Sequence, residues 1–201
     1  PQLWTDDIDY ANKRVVVIGS GATAVTLVPE LAKKAAHVTM LQRSPSYILS
    51  LPGVDAIAHY LAGKLPIQTA YGITRAKNVG LSMAFYNYCR QYPERAKNML
   101  IGQVRKKLGK DYDVKTHFTP KYSPWDERLC LTPNDDFFDA IKSGRAEVVT
   151  DHITSFTEKG IQLESGKTLE ADLIVTATGL KILFGGGVEI VVDGARADFS
   201  K

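Results

Sequence analysis

The chain has 201 residues, enough for one good-sized core or a core carrying an inserted subdomain. Its hydrophobic share of 44%, charged share of 23% and net charge of +3 are those of an ordinary globular protein, only mildly basic. They exclude a disordered polyelectrolyte. The densest basic run, VRKKLGK at 104–110, lacks the interleaved aromatics of a nucleic-acid surface.

The first thirteen residues, PQLWTDDIDYANK, read as an irregular lead-in. Val15 to Ile18 are four consecutive β-branched apolar residues, the pattern of a parallel strand buried on both faces. Glycine follows at once, then a helical pattern from Ala22 to about Ala35, then a second strand, HVTMLQ at 37–42. Strand, glycine turn, helix and strand make one βαβ unit. The next stretch, RSPSYILSLPG, is expected to leave the sheet.

From about Val54 to Gly109 the character changes. Ile57, Tyr60, Leu61 and Leu65 sit at helical spacing, and NVGLSMAFYNYCRQY is a second helical stretch. Pro93 suits the first turn of a third helix, in which Leu100, Val104 and Leu108 align and which Gly109 ends. The aromatics Phe85, Tyr86 and Tyr88 are expected to pack in a core rather than line a tunnel. Residues 111–135 read as an ordered loop, followed by a short helix, DDFFDAIKSG. The short runs AEVVT, ITSFT, GIQLES and KTLE, punctuated by EKG and ESGK, suggest a β-meander, and ADLIVTATG a last buried strand. The expected fold is a doubly wound, Rossmann-like α/β parallel sheet with a β-meander and a helical insertion.

Gly19, Gly21 and Ala24 give G-x-G-x-x-A after a strand and at the start of a helix. The first glycine permits the turn, the second lets a pyrophosphate approach the backbone, and Ala24 keeps helix and strand close. An NAD or FAD site usually has a carboxylate about 20 residues further on. Here that region reads Gln42, Arg43, Ser44. Arg43 can clamp a 2′-phosphate and Ser44 can add a hydrogen bond, so the residues favour NADP(H).

No nucleophile–base pair stands out. His37, His59, His117 and His152 are scattered and read as surface or satisfied polar residues. No spacing supports a metal site. Cys89 and Cys130 form no CxxC pair, no signal peptide is visible, and Gly, Ser and Thr break the longest apolar run. A cytoplasmic protein without a transmembrane segment is the expectation.

Several motifs in order carry a resemblance: PQLW at the start, VIGSGATA, QRSP, YSPWDERLC, and ATG at 177–179. Together they resemble the Baeyer–Villiger monooxygenases, class B flavoproteins that use FAD and NADPH, and most of all the subgroup containing the ethionamide-activating monooxygenase. The family fingerprint reads FxGxxxHxxxW, and Trp4 matches its last position. The resemblance implies that an FAD-binding G-x-G-x-x-G lies upstream, and the 201 residues contain no second such motif. It therefore implies a linker at 1–13, an NADP-binding domain at 14–50 and 111–180, a helical insertion at 51–110, and at 181–201 a return toward a missing FAD-binding half.

By the same resemblance, Gly19, Ser20, Gly21, Ala22, Thr23, Ala24, Val25 and Thr26, with Arg43 and Ser44, contact NADP(H). Arg128 matches the arginine that sits over the flavin and stabilises its oxygen adduct. Many relatives have Lys-Arg where this chain has Glu127–Arg128, which leaves more of the cofactor discrimination to Arg43. The implied activity of the whole protein inserts one oxygen atom of O2 into a ketone or oxygenates a sulfur, and the segment alone is expected to be inactive. Two other readings stay open: an N- or S-oxygenating flavin monooxygenase or flavin reductase, and a stand-alone NADP-binding sensor without catalysis.

Overall fold

The structure, a computed structural model, describes residues 3–180, 186 and 188–197. Its centre is a four-stranded parallel sheet of order β5-β2-β1-β9, built from β1 (Arg14–Ile18), β2 (His37–Gln42), β5 (Ala146–Thr150) and β9 (Leu173–Thr176). Helix α1 (Ala22–Leu31) joins β1 to β2 as the glycine pattern requires, ending some four residues short of the expected Ala35. AEVVT, expected in the meander, is instead the edge strand β5, paired in parallel with β2.

Alternation along the strands sorts the core into two layers. Val15 and Val17 of β1, Val38 and Met40 of β2, and Val148 of β5 pack against α1 and against α6 (Asp136–Lys142). Val16 and Leu41, from the intervening positions, pack against Ile161, Leu163 and Leu169. Those three come from the antiparallel meander of β6 (Ile153–Thr157), β7 (Gly160–Leu163) and β8 (Thr168–Glu170). The sheet is thus covered by helices on one face and by the meander on the other. A doubly wound sheet would carry helices on both; here the meander from Ile153 to Glu170 replaces the second helical layer because strands of period two bury one face against the sheet and leave the other to water.

The stretch expected to leave the sheet and the expected loop at 111–135 contain a strand each. Within RSPSYILSLPG lies β3 (Tyr47–Leu51), and within 111–135 lie the short helix α5 (Val114–His117) and the whole of β4 (Leu129–Pro133). β3 and β4 pair in parallel, Tyr47 opposite Leu129 and Ile48 opposite Cys130. Between them run α2 (Ala56–Ala62), α3 (Ile67–Gln91) and α4 (Pro93–Leu108). Pro93 opens α4 and Gly109, at φ +94°, ends it, with Arg105, Lys106 and Lys107 in the last turn. Leu100 and Val104 are buried as expected, but Tyr86 and Tyr88 are exposed. α3 begins eleven residues earlier than the expected start at Asn78, and only Ala70 and Cys89 of it are buried. The aromatics meet a loop, not a core: Phe85 and Tyr86 lie edge-on to Trp125.

At the ends, Trp4 packs edge-to-face on Tyr10 against the helical side of the core. Of the expected return at 181–201, residues 181–185, 187 and 198–201 lie outside the described residues; the rest includes a hairpin of β10 (Val191–Val192) and β11 (Ala195–Arg196). No described helix is long and apolar enough to cross a membrane.

Candidate functional site: a cleft at the carboxyl ends of the strands

The chain leaves β2 toward β5 on one side and returns through β9 on the other side of β1. Such a reversal opens a crevice beyond the carboxyl ends of the strands, where open α/β sheets bind ligands. A cleft of about 600 Å³ lies there. Its walls are Gly19 to Thr23 from the glycine turn, Arg43 and Ser44 after β2, Ala177 to Gly179 after β9, and Arg128.

The two glycines serve different physical needs. Gly19 has φ +136°, and a Cβ there would sit 2.4 Å from the Ala177 carbonyl oxygen, so the turn can pass β9 only without a side chain. Gly21 is extended and is the residue before α1; a Cβ there would meet nothing within 4 Å. The space it would take is the cleft itself. No side chain caps α1, so the first N–H groups of the helix and its partial positive charge face this space.

The expected cofactor residues divide into two groups. Gly19, Ser20, Gly21, Ala22, Thr23, Arg43 and Ser44 border the cleft. Ala24 and Val25 are fully buried in the core, and the Thr26 hydroxyl donates back into its own helix, to the Ala22 and Thr23 carbonyls. Ala24 sits where its small size lets α1 lie close on the sheet. Arg43 is exposed and forms no hydrogen bond or ion pair among the described residues. It is an uncommitted cation at the far end of β2.

Arg128 is 85 residues from Arg43 in sequence, and the β3–β4 register brings it to the cleft. It immediately precedes β4, as Ser46 immediately precedes β3, so the two lie abreast. Its Nε donates to Ser46 Oγ at 3.1 Å, and its carbonyl accepts from the Tyr122 hydroxyl at 2.8 Å. The Tyr122 carbonyl in turn accepts from the Tyr47 hydroxyl at 2.7 Å, and burial pushes the Tyr47 phenol up to about 12, so it stays a donor. Trp125 takes a positive φ in the same loop, and Arg90 of α3 pairs with Asp126. Glu127 lies 3.7 Å from the Arg128 guanidinium, a loose and solvent-screened pair.

Beneath the turn, Cys130 Sγ donates to the Ser20 carbonyl at 3.7 Å, and burial pushes this thiol up, so it stays protonated. No histidine lines the cleft. His117 is half-buried with Nδ1 2.9 Å from the Thr150 hydroxyl, and burial pushes its pKa down. Asp151, His152 and Glu164 gather near the meander, away from the cleft lining, and Asp151 already accepts from the His152 and Ser165 N–H groups. Sequence reasoning missed Ser46 and Cys130. Each is a small residue whose neighbour is set only by the β3–β4 register.

The cleft and the sheet around it define an α/β segment with a glycine turn at the carboxyl ends of its parallel strands, and the comparisons give that class its particular setting. The chain is 54% identical over 200 residues to MymA of Mycobacterium tuberculosis, by name an FAD-containing monooxygenase, covering 98% of this chain and 40% of that protein. It is 52% identical over 201 residues to the FAD-containing monooxygenase EthA of Mycobacterium tuberculosis, covering 100% of this chain and 41% of that one. Among solved structures, an oxidised steroid monooxygenase bound to NADP matches with a TM-score of 0.71 at 21% identity, over 96% of this chain and 44% of that chain. No protein-family model matches the sequence. The chain spans about 40% of the length of the curated relatives it matches. It is a close homologue, end to end, of one segment of these FAD-containing monooxygenases.

Proposed function

We propose that this chain is the NADP(H)-binding segment of an FAD-dependent monooxygenase. The observation that carries the reading is a single cleft bordered at once by the uncapped helix start, the uncommitted Arg43 and the loop-held Arg128. The residues fit the cofactor. The pyrophosphate would lie over Gly21, where the missing Cβ leaves room, and receive the N–H groups of α1. Arg43 and Ser44 would take the 2′-phosphate, which a carboxylate at that position would repel. Ala24, Val25 and Thr26 would then support the turn from behind and touch the cofactor little.

In this reading residues 14–50 and 111–180 form the NADP-binding domain, 51–110 a helical insertion, and 1–13 and 181–201 connections to an FAD-binding part. FAD, held by that other part, would take electrons from NADPH, activate O2 and deliver one oxygen atom. The substrate would be a ketone, converted to an ester or lactone, or a sulfur compound. Arg128 would present a fixed guanidinium to the negative charge that develops on oxygen, since its planar cation donates several hydrogen bonds. The segment by itself would neither retain FAD nor consume NADPH. The free, buried Cys89 and Cys130 suit a reducing, cytoplasmic setting.

The test is cofactor discrimination in the full-length protein. NADPH should bind more tightly than NADH by about 10- to 100-fold, the scale of one or two charge-assisted hydrogen bonds. Calorimetric titration of Arg43→Ala should bring the two affinities together. A mutant that discriminates as well as the parent would remove Arg43 from the 2′-phosphate site.

A further inference from the structure

Four polar groups join Arg128 to the glycine turn. Arg128 Nε donates to Ser46 Oγ at 3.1 Å, Ser46 Oγ to Ser20 Oγ at 3.0 Å, and Ser20 Oγ to the Ser44 carbonyl at 3.3 Å. The direction of this chain is forced. A guanidinium can only donate and a carbonyl can only accept, so each hydroxyl between them accepts from one side and donates to the other. Ser46 is 1% exposed, and no water can replace either of its partners at low cost. Both ends of the chain, Arg128 and Ser44, border the cleft, and so does Ser20 in the glycine turn.

We propose that Ser46 is a positioning residue that aims Arg128 into the cleft and tightens that aim when a phosphate occupies the glycine turn. The proposal rests on the reading of Arg128 given above. Without Ser46 Oγ, Nε has no acceptor among the described residues, and within them the guanidinium is held by its backbone and by the loose contact to Glu127. The link to the turn follows from the hydroxyl proton of Ser20, which is spent on the neutral Ser44 carbonyl. A phosphate oxygen near the turn is a stronger acceptor and competes for that proton. Ser20 Oγ, donating to a charge, becomes a better acceptor for Ser46, and Ser46 in turn for Arg128. Occupancy of the turn is thus passed to the arginine through two hydroxyls without moving the backbone.

The experiment uses the full-length, FAD-loaded protein and the variants Ser46→Ala, Ser46→Cys and Ser46→Thr. The thiol variant keeps the volume while weakening both hydrogen bonds, in case the alanine variant folds poorly. The threonine variant keeps the hydroxyl. The first readout is solvent exchange of the Arg128 Nε–H, followed by NMR and assigned by its loss in Arg128→Lys. Exchange should speed up about tenfold in Ser46→Ala and Ser46→Cys, the scale of one lost charge-assisted hydrogen bond. Addition of NADP should slow it in the parent and in Ser46→Thr only.

The second readout is the fate of the electrons. One NADPH, one proton and one O2 yield either oxygenated substrate and water or hydrogen peroxide. NADPH affinity and the rate of flavin reduction should stay within about threefold in the alanine and cysteine variants, while the yield of oxygenated product falls about tenfold. Ser46→Thr should restore it, and adding Ser46→Ala to Arg128→Ala should lower it no further. Product yield or Nε–H exchange unchanged in both Ser46→Ala and Ser46→Cys would overturn the proposal, as would an additive loss on the Arg128→Ala background or failure of threonine to rescue. If Arg128→Ala itself keeps the parent yield, the reading of Arg128 falls, and the role of Ser46 with it. If Arg128→Ala loses yield and the Ser46 variants do not, only the positioning role is lost.

Discussion

The sheet and the α2–α3 pair are both rich in apolar residues at regular spacing, yet they meet opposite fates. In β1, Val15, Val16 and Val17 are buried from both sides, by α1 and by the meander. In α3, Ile67, Tyr71, Leu81 and Met83 stand in water, with Val54, Ile57 and Tyr60 exposed in and before α2. α2 has no buried residue at all. What joins α2 to α3 is polar as much as apolar. Asp55 caps α2 by accepting from the Ile57 and Ala58 N–H groups and also receives Lys77 of α3. Periodicity marks which side of an element is apolar; what covers that side is decided by the topology. For the sheet the covering elements lie within this chain. For α3 they do not lie among the described residues, in a chain that spans about 40% of its relatives' length.

The largest test of this contrast is a pair of truncations. Phe137 of α6 is fully buried among Phe118 and Phe138, so Phe137→Ala should destabilise the fold by about 3–5 kcal/mol. Leu81 of α3 is 63% exposed, and Leu81→Ala should change stability by no more than about 0.5 kcal/mol. Urea unfolding of both variants gives the comparison directly. Comparable losses would mean that the α3 face is covered in solution.

A second pair uses glycine, which the two regions employ in opposite ways. Gly19→Ala places a Cβ against the Ala177 carbonyl at a strained positive φ, and should cost about 1–3 kcal/mol. Gly80 lies inside α3 with open space where a Cβ would go, so Gly80→Ala should gain up to about 1 kcal/mol from helix propensity. Thermal melts should therefore move in opposite directions. A stabilised Gly19→Ala would show that the turn is free to move off β9.

The same contrast explains what was legible in the sequence. The β1–turn–α1–β2 unit was readable because every signal in it is local: four β-branched residues, two glycines, a helical period. Pro93 and Gly109 bounded α4 for the same reason. The β3–β4 pair was not readable, since its partners are 82 residues apart and each strand is a five-residue run inside a stretch that looks like loop. AEVVT reads as a meander strand because a half-buried edge strand and a meander strand share one pattern, and only the pairing with β2 separates them. The site divides along the same line. The glycine turn and Arg43 follow from local pattern, whereas the hydroxyls that tie Arg128 to the turn acquire meaning only through the register.

The smallest expected effect concerns acid. Asp172 sits just before β9 and accepts the Arg14 backbone N–H at 2.8 Å and its Nη2 at 2.7 Å, which holds its carboxyl down at about 2. Asp55 is likewise held at about 2, first by Lys77 and then by the α2 N–H groups. Both values lie below the ordinary 3.8 of the unfolded chain, so between these two values the unfolded state binds more protons than the folded one. The stabilisation is therefore complete above about pH 4 and is lost as the pH falls through about 2. The two losses should differ in reach. Asp172 ties together the starts of β1 and β9, neighbouring strands of the main sheet, so its protonation should lower global stability, and Asp172→Asn should flatten the acid limb of the unfolding free energy. Asp55 holds helices with little buried surface, so its protonation should free the α2–α3 pair locally. Amide exchange should then quicken in residues 56–77 between pH 4 and 2 with the sheet still protected, and in Asp55→Asn it should already be quick at pH 5. Exchange that rises in α2 only together with β1 would show that the helical pair and the sheet unfold as one unit, and the contrast between them would be one of exposure alone.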